Sequence, residues 1–187
     1  MRIIKKDVKS INLDFFNPLI NTFSYLKNEK EQYRLLVYLT NLYDNITIID
    51  AGTAQGHSCL SLSQNVNNKI ITYDIVKNPS LCDLDSRPNV ERKILDINKE
   101  TDEIIKSAKI ILLDIDPHDG KQEIVFYERL KKIEYKGYVI VDDINLNQPM
   151  IDFWNSVTHK KFDVTDIAHW SGTGIINMGE EDLEIHD

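Results

Sequence analysis

Residues 46–63, ITIIDAGTAQGHSCLSLS, constrain what this chain can fold into more than any other stretch. Ile46, Thr47, Ile48 and Ile49 form the β-branched run of a parallel strand buried on both faces. Asp50 ends the run, Gly52 and Gly56 bracket a tight turn, and a helix opens at Ser58. Strand, glycine turn and helix in this order aim backbone N–H groups at an anion, which is either a phosphate or an amino-acid carboxylate. The fingerprint G-x-G-x-x-G is absent, because Ala54 and Gln55 sit between the glycines, and no G-K-[ST] follows. A nicotinamide dehydrogenase and a phosphate-loop nucleotidase are thereby disfavoured.

Downstream the chain alternates strand and helix. Strands are expected at residues 69–75, 90–94, 109–114 and 138–142, with helices opened by Thr101, at 121–133 and from Pro149 to Val157. Residues 161–165 and 174–178 read as two last strands. The pattern predicts an α/β fold: a doubly wound, Rossmann-like, mostly parallel sheet with a C-terminal antiparallel hairpin. Ahead of it, Leu13, Phe15, Phe16, Leu19, Ile20 and Phe23 predict a short amphipathic helix and residues 29–43 a second, together a helical preface. One domain over residues 1–187 is expected: a preface at 1–44, a core at 45–179 and an acidic tail at 180–187, solvated and frayed.

Composition narrows the partners. A net charge of −8 argues against nucleic acid, whose phosphates need clustered Lys and Arg. No apolar run reaches membrane-span length and MRIIKKDVKS has no apolar signal core, so no membrane partner and a cytoplasmic location are expected. Cys59 and Cys82 make neither a zinc pattern nor a disulfide framework.

Four strands finish in aspartate, at Asp50, Asp74, Asp114 and Asp142, and ligands of open α/β sheets bind beyond the carboxyl ends of strands. Asp74 lies about 20 residues past the glycine turn, where an acid accepts bonds from a ribose diol. Asp96 either contacts an adenine amine or simply leads into a helix. Asp114 in ILLDIDPHDG and Asp142 with Asp143 in VIVDDIN would be neighbours on adjacent strands. Three such carboxylates repel unless a cation joins them. Oxygen ligands select a hard ion such as Mg²⁺, and zinc is disfavoured for want of an accompanying His/Cys cluster.

The motif D-x-G-x-x-x-G-x-S, with LLDIDPHDG and VIVDDIN, resembles class I S-adenosylmethionine-dependent methyltransferases of the metal-dependent O-methyltransferase type, over residues 46–178. It is similar to the catechol branch, and more closely to the sugar O-methyltransferases of macrolide and aminocoumarin pathways. The resemblance implies a cofactor-binding core, with Asp50, Gly52, Thr53, Gly56, Ser58, Asp74 and Asp96 on the S-adenosylmethionine side. It implies Asp114, Asp142 and Asp143 as ligands of Mg²⁺ or Mn²⁺. It also implies a small hydroxylated acceptor such as a sugar or polyol, and a homodimer. Pro117 stands where the catechol branch has its lysine, and Asp116 matches the base of the sugar branch.

Methyl transfer from a sulfonium is an in-line displacement that needs alignment first and a proton acceptor second. Asp116 is the favoured acceptor, with His118 beside it as a substitute. His169 reaches the acceptor site if residues 161–165 form a parallel strand, and Trp170 then walls it. The alternative is a tight turn with Trp170 in the core and His169 exposed. A metal-independent class I methyltransferase and a catalytically inactive binding subunit remain as rival readings.

Overall fold

The apolar run ending at Leu113 lies near the middle of a seven-stranded sheet, with helices packed on both faces. The structure is a computed structural model that describes residues 1–16, 32–77, 82–179 and 181–187. In chain order its elements are β1 (Arg2–Ile4), α1 (Lys5–Ser10), α2 (Tyr33–Asn41), β2 (Thr47–Ala51), α3 (His57–Leu62), β3 (Lys69–Asp74) and β4 (Val90–Ile94). There follow α4 (Asp102–Ser107), β5 (Ala108–Leu113), α5 (Lys121–Lys132), β6 (Tyr138–Asp142), α6 (Gln148–Ser156), β7 (Lys160–Asp163), β8 (Thr173–Asn177) and β9 (Glu184–His186).

The large sheet runs β4-β3-β2-β5-β6-β8-β7. From β4 to β6 every pairing is parallel, while β8 is antiparallel to both β6 and β7. The expected hairpin therefore closes the sheet, with its second strand inserted against β6. Ile48 and Ile49 are both fully buried because β2 is covered on both faces. Ile48 joins Leu35, Leu36 and Leu39 of α2. Ile49 joins Phe126 and Leu130 of α5. Side chains alternate across a strand, so adjacent isoleucines feed opposite cores.

Local chemistry sets the helix starts. The Thr101 hydroxyl accepts from Ile104 N, and the Asn147 carboxamide oxygen accepts from Met150 N with Pro149 in the first turn.

The two ends of the chain depart from the sequence reading. The tail is not a frayed strand of charge: β9 pairs in parallel with β1, Arg2 opposite Glu184 and Ile4 opposite His186. Leu183 is buried in the same core as Ile3 and Val8, and Ile185 packs against it. The acidic residues masked these two apolar positions, whose spacing of two suits a strand. The preface correspondingly begins as a strand. Of the first amphipathic segment, Asp14–Phe16 forms one 3₁₀ turn with Phe16 buried. Leu13 is buried too, and residues 17–23 of that segment and 29–31 of the second helix lie outside the described residues.

Candidate active site

After β2 the chain crosses to β3 and β4 on one side, then returns to β5 on the other. Beyond the carboxyl ends of β2 and β5 this reversal leaves a crevice, the place where open α/β sheets hold ligands. A cavity of about 510 Å³ opens there. Its lining includes Gly52, Ala54, Asp74, Asp96, Asp114 and His118.

The glycine turn forms the floor. Gly52, at φ +110°, lets the backbone N–H groups of Gly52 and Thr53 both donate to Tyr73 O at 2.9 Å. Ala54 N donates to Asp74 Oδ2 at 2.9 Å and Val76 N to its Oδ1 at 3.1 Å. Asp74 thus ties the turn to the end of β3 while facing the cavity. Asp96 also lines it, and its Oδ1 accepts from Asn98 N at 2.9 Å.

The other residues expected on the cofactor side lie beneath this floor. Asp50 is fully buried, and the Thr72 hydroxyl donates to its Oδ2 at 2.6 Å. The Thr53 hydroxyl lies 2.6 Å from that of Thr72, and Ser58 is buried as well. Burial raises the Asp50 carboxyl to about 6. Gly56, at φ +92°, caps α3. His57 packs against the rings of Phe16 and Tyr33, centroids 5.7 and 5.9 Å away.

The carboxylate cluster lies at the next strand ends. Leu113 of β5 is opposite Val141 of β6, so Asp114 and Asp142 leave the sheet side by side. Asp143 follows at φ +61°. His118 Nε2 stands 3.8 Å from Asp114, 3.6 Å from Asp143 and 3.4 Å from Asp116. On the far side His169 Nδ1 is 3.2 Å from Asp142 and 3.4 Å from Asp143. The Ser171 hydroxyl donates to Asp143 Oδ1 and lies 2.8 Å from His169 Nδ1. Ala54, His118 and Asp143 all hold positive φ, a strain that concentrates at binding sites.

Burial, then the charges of Asp142, Asp143 and Asp50, push the Asp114 carboxyl well above the usual carboxylate range. Burial acts the same way on Asp143. Hydrogen bonds from His169 and Ser171, with the charge of His118, outweigh it and leave that carboxyl below its ordinary value. One proton-hungry acid among ionised neighbours is the electrostatic signature of a place that favours a cation.

Two donor sets have their atoms within 4.8 Å of one another: Asp114, His118 and Asp143, and Asp142, Asp143 and His169. The residues fit a divalent cation. Contrary to the sequence reading, histidines do accompany the aspartates, because loops distant in sequence converge on one edge. The carboxylates suit Mg²⁺ or Mn²⁺, while the two imidazoles remove the ground on which zinc was disfavoured.

Placement separates the three candidate proton acceptors. The Asp116 side chain is 96% exposed. That of His118 is mostly buried and points its Nε2 into the cluster. β7 runs in the parallel sense, so the loop after it emerges on the cavity edge and carries His169 to the aspartates. Trp170 is not core: it is 62% exposed, its ring edge-on to His169 at 5.6 Å.

Two participants escaped the sequence reading. Ser171 follows Trp170 in the loop after β7, and neither its type nor its position marks it for a role. Gln32, whose Nε2 donates to Asp142 Oδ2 at 2.8 Å, is 110 residues from its partner and left no local signal.

No protein-family model matches the sequence, and no curated protein does. Solved structures do match. A Staphylococcus aureus protein assigned as a caffeoyl-CoA O-methyltransferase superposes with a TM-score of 0.61 at 15% identity, over 90% of this chain and 93% of that one. The Bacillus cereus O-methyltransferase in complex with SAH gives 0.54 at 14% identity, over 77% and 78%. A Clostridium thermocellum protein assigned as an rRNA methylase gives 0.53 at 16% identity, over 81% and 98%. The chain has the class I S-adenosylmethionine-dependent methyltransferase fold, resembling that of O-methyltransferases.

Proposed function

We propose that this protein is an S-adenosylmethionine-dependent, divalent-cation-assisted O-methyltransferase of a small hydroxylated acceptor, such as a sugar or polyol. One observation carries the reading: Asp114 and His118 belong both to the cavity lining and to the cation-competent cluster. A cofactor in the cavity and an acceptor at the cluster would therefore meet at these two side chains.

S-adenosylmethionine supplies an electrophilic methyl group on a sulfonium and leaves as the neutral thioether SAH. A divalent cation supplies a fixed charge that orients the acceptor oxygens and lowers their pKa. In this reading Asp74 accepts bonds from the ribose hydroxyls, and Gly52 holds the turn that floors the cofactor site. Asp114, Asp142 and Asp143 hold the cation. His118 takes the acceptor proton at Nε2, in preference to Asp116, whose carboxylate lies in water. Asp116, at 3.4 Å, then passes that proton to solvent. The acceptor oxygen forms its bond to the methyl carbon as the carbon–sulfur bond breaks, in line. Trp170 offers an apolar wall to the acceptor.

A small acceptor is favoured over RNA because the net charge is −8 and the cluster edge is acidic. The test is calorimetry with SAH, followed by methyl transfer to a panel of vicinal diols with Mg²⁺ or Mn²⁺. SAH binding and transfer that stops in excess EDTA support the reading. Transfer unaffected by EDTA replaces it with the metal-independent one, and absent SAH binding replaces it with a non-catalytic role.

A further inference from the structure

Gln32 immediately precedes α2, at the N-cap position, yet its side chain makes no capping bond to that helix. It is 3% exposed, and its carboxamide reaches across the fold to the deepest of the three aspartates. Nε2 donates to Asp142 Oδ2 at 2.8 Å. Oε1, on the same carbon as Nε2, is buried and meets no donor among the described residues. A buried acceptor without a donor is uncommon in a folded protein, and an unseen ion is one recognised explanation.

Asp142 itself is already served on its other oxygen, by His169 at 3.2 Å and the Thr173 hydroxyl at 3.5 Å. The donor side of the Gln32 amide therefore completes a carboxylate that is otherwise well held. Its acceptor oxygen shares a carbon with that donor and so lies close to a region of concentrated negative charge, which is where a cation would be drawn.

We propose that Gln32 belongs to the cation site, with Oε1 as a neutral oxygen ligand and Nε2 fixing Asp142. This rests on the cation-assisted reading above. The aspartates alone say only that a cation is attracted. Gln32 adds a buried oxygen without a donor among the described residues, contributed by an element outside the carboxyl edge. A neutral ligand adds coordination without adding to the repulsion among the three carboxylates.

The experiment is Mn²⁺ binding to the full chain, read by electron paramagnetic resonance of the free ion and by calorimetry, with SAH affinity as the check on the fold. Gln32→Met keeps length and bulk but loses both polar atoms. It should weaken Mn²⁺ binding tenfold or more and leave SAH affinity unchanged. Gln32→Glu keeps an oxygen at the same reach but gives up the Nε2 donor to Asp142, so it should bind Mn²⁺ within about tenfold of the parent. Unchanged Mn²⁺ affinity in Gln32→Met overturns the proposal. So does Mn²⁺ binding lost altogether in Gln32→Glu with SAH affinity intact, which would leave only the amide donor as important, and this arm decides even if Gln32→Met fails to fold. If the parent protein itself binds no Mn²⁺, the cation-assisted reading falls rather than this assignment alone.

Discussion

Gly52 is pressed against the backbone of Asp114: a Cβ on Gly52 would stand 1.6 Å from the Asp114 carbonyl oxygen. The contact joins the glycine turn after β2 to the residue that follows β5, at the strand-order reversal. It explains how the cavity floor and the carboxylate cluster share a boundary. No side chain fits, and φ +110° independently demands glycine.

Gly52→Ala should consequently damage stability and ligand binding together. Left-handed strain and a backbone overlap together cost about 3 kcal/mol or more. Urea unfolding should show the midpoint falling at unchanged slope, with weaker SAH binding in whatever fraction stays folded. A midpoint equal to that of the parent would mean that the turn relaxes freely, and the shared-boundary argument would fail.

Asp74 carries two duties that substitution can separate. Its oxygens hold Ala54 N and Val76 N, and the same carboxylate faces the cavity. Asp74→Ala should weaken SAH binding by about 1.5–3 kcal/mol per lost charge-assisted bond, and it should also loosen the turn. Asp74→Asn keeps one acceptor oxygen and should fall between the two. Calorimetry returning parental affinity for Asp74→Ala removes this residue from the cofactor side.

Particular residues show what was legible in the sequence. The strand and turn around Gly52 could be read because β-branched runs and glycine spacing are local signals. Asp114, Asp142 and Asp143 could be grouped because parallel neighbours align their carboxyl ends. Asp50 sits at a strand end like the others, yet the pleat turns its side chain inward to Thr72. Nothing in its spacing distinguishes it from Asp74. Gln32 and the β1–β9 pairing depend on contacts between chain segments more than 100 residues apart, which no local pattern encodes.

The buried Asp50 should make stability pH-dependent in an unusual direction. Burial raises its carboxyl from 3.8 to about 6. Between about pH 4 and 6 the folded protein therefore holds a proton that the unfolded chain has released, and folding stability declines as pH rises. A shift of about two pH units corresponds to about 3 kcal/mol, fully lost above the folded value. Asp50→Asn cannot titrate, so without ligand it should gain on the parent by that amount between pH 4 and 7. Urea unfolding at several pH values reads the difference. A parent-to-variant gap that stays constant across the range rejects the assignment.

The last expectation concerns proton removal from the acceptor. Asp116 lies two residues beyond Asp114, the spacing that first favours it as base, but its side chain is 96% exposed. Its carboxylate is turned to solvent rather than held inside the cluster where the acceptor hydroxyl would sit. His118 directs Nε2 toward Asp114 and Asp143 from within the cavity lining, close to where the acceptor hydroxyl would be held. His169 is engaged with Asp142, Asp143 and Ser171, which suits holding those acids in place. Under saturating Mn²⁺ and cofactor, His118→Ala should lower kcat by about 10²-fold or more, the usual contribution of a positioned base. Asp116→Asn should stay within about tenfold of the parent, since solvent can replace a relay. His169→Ala should weaken Mn²⁺ binding before it lowers kcat at saturation. Turnover surviving in His118→Ala and collapsing in Asp116→Asn would return the role of base to Asp116.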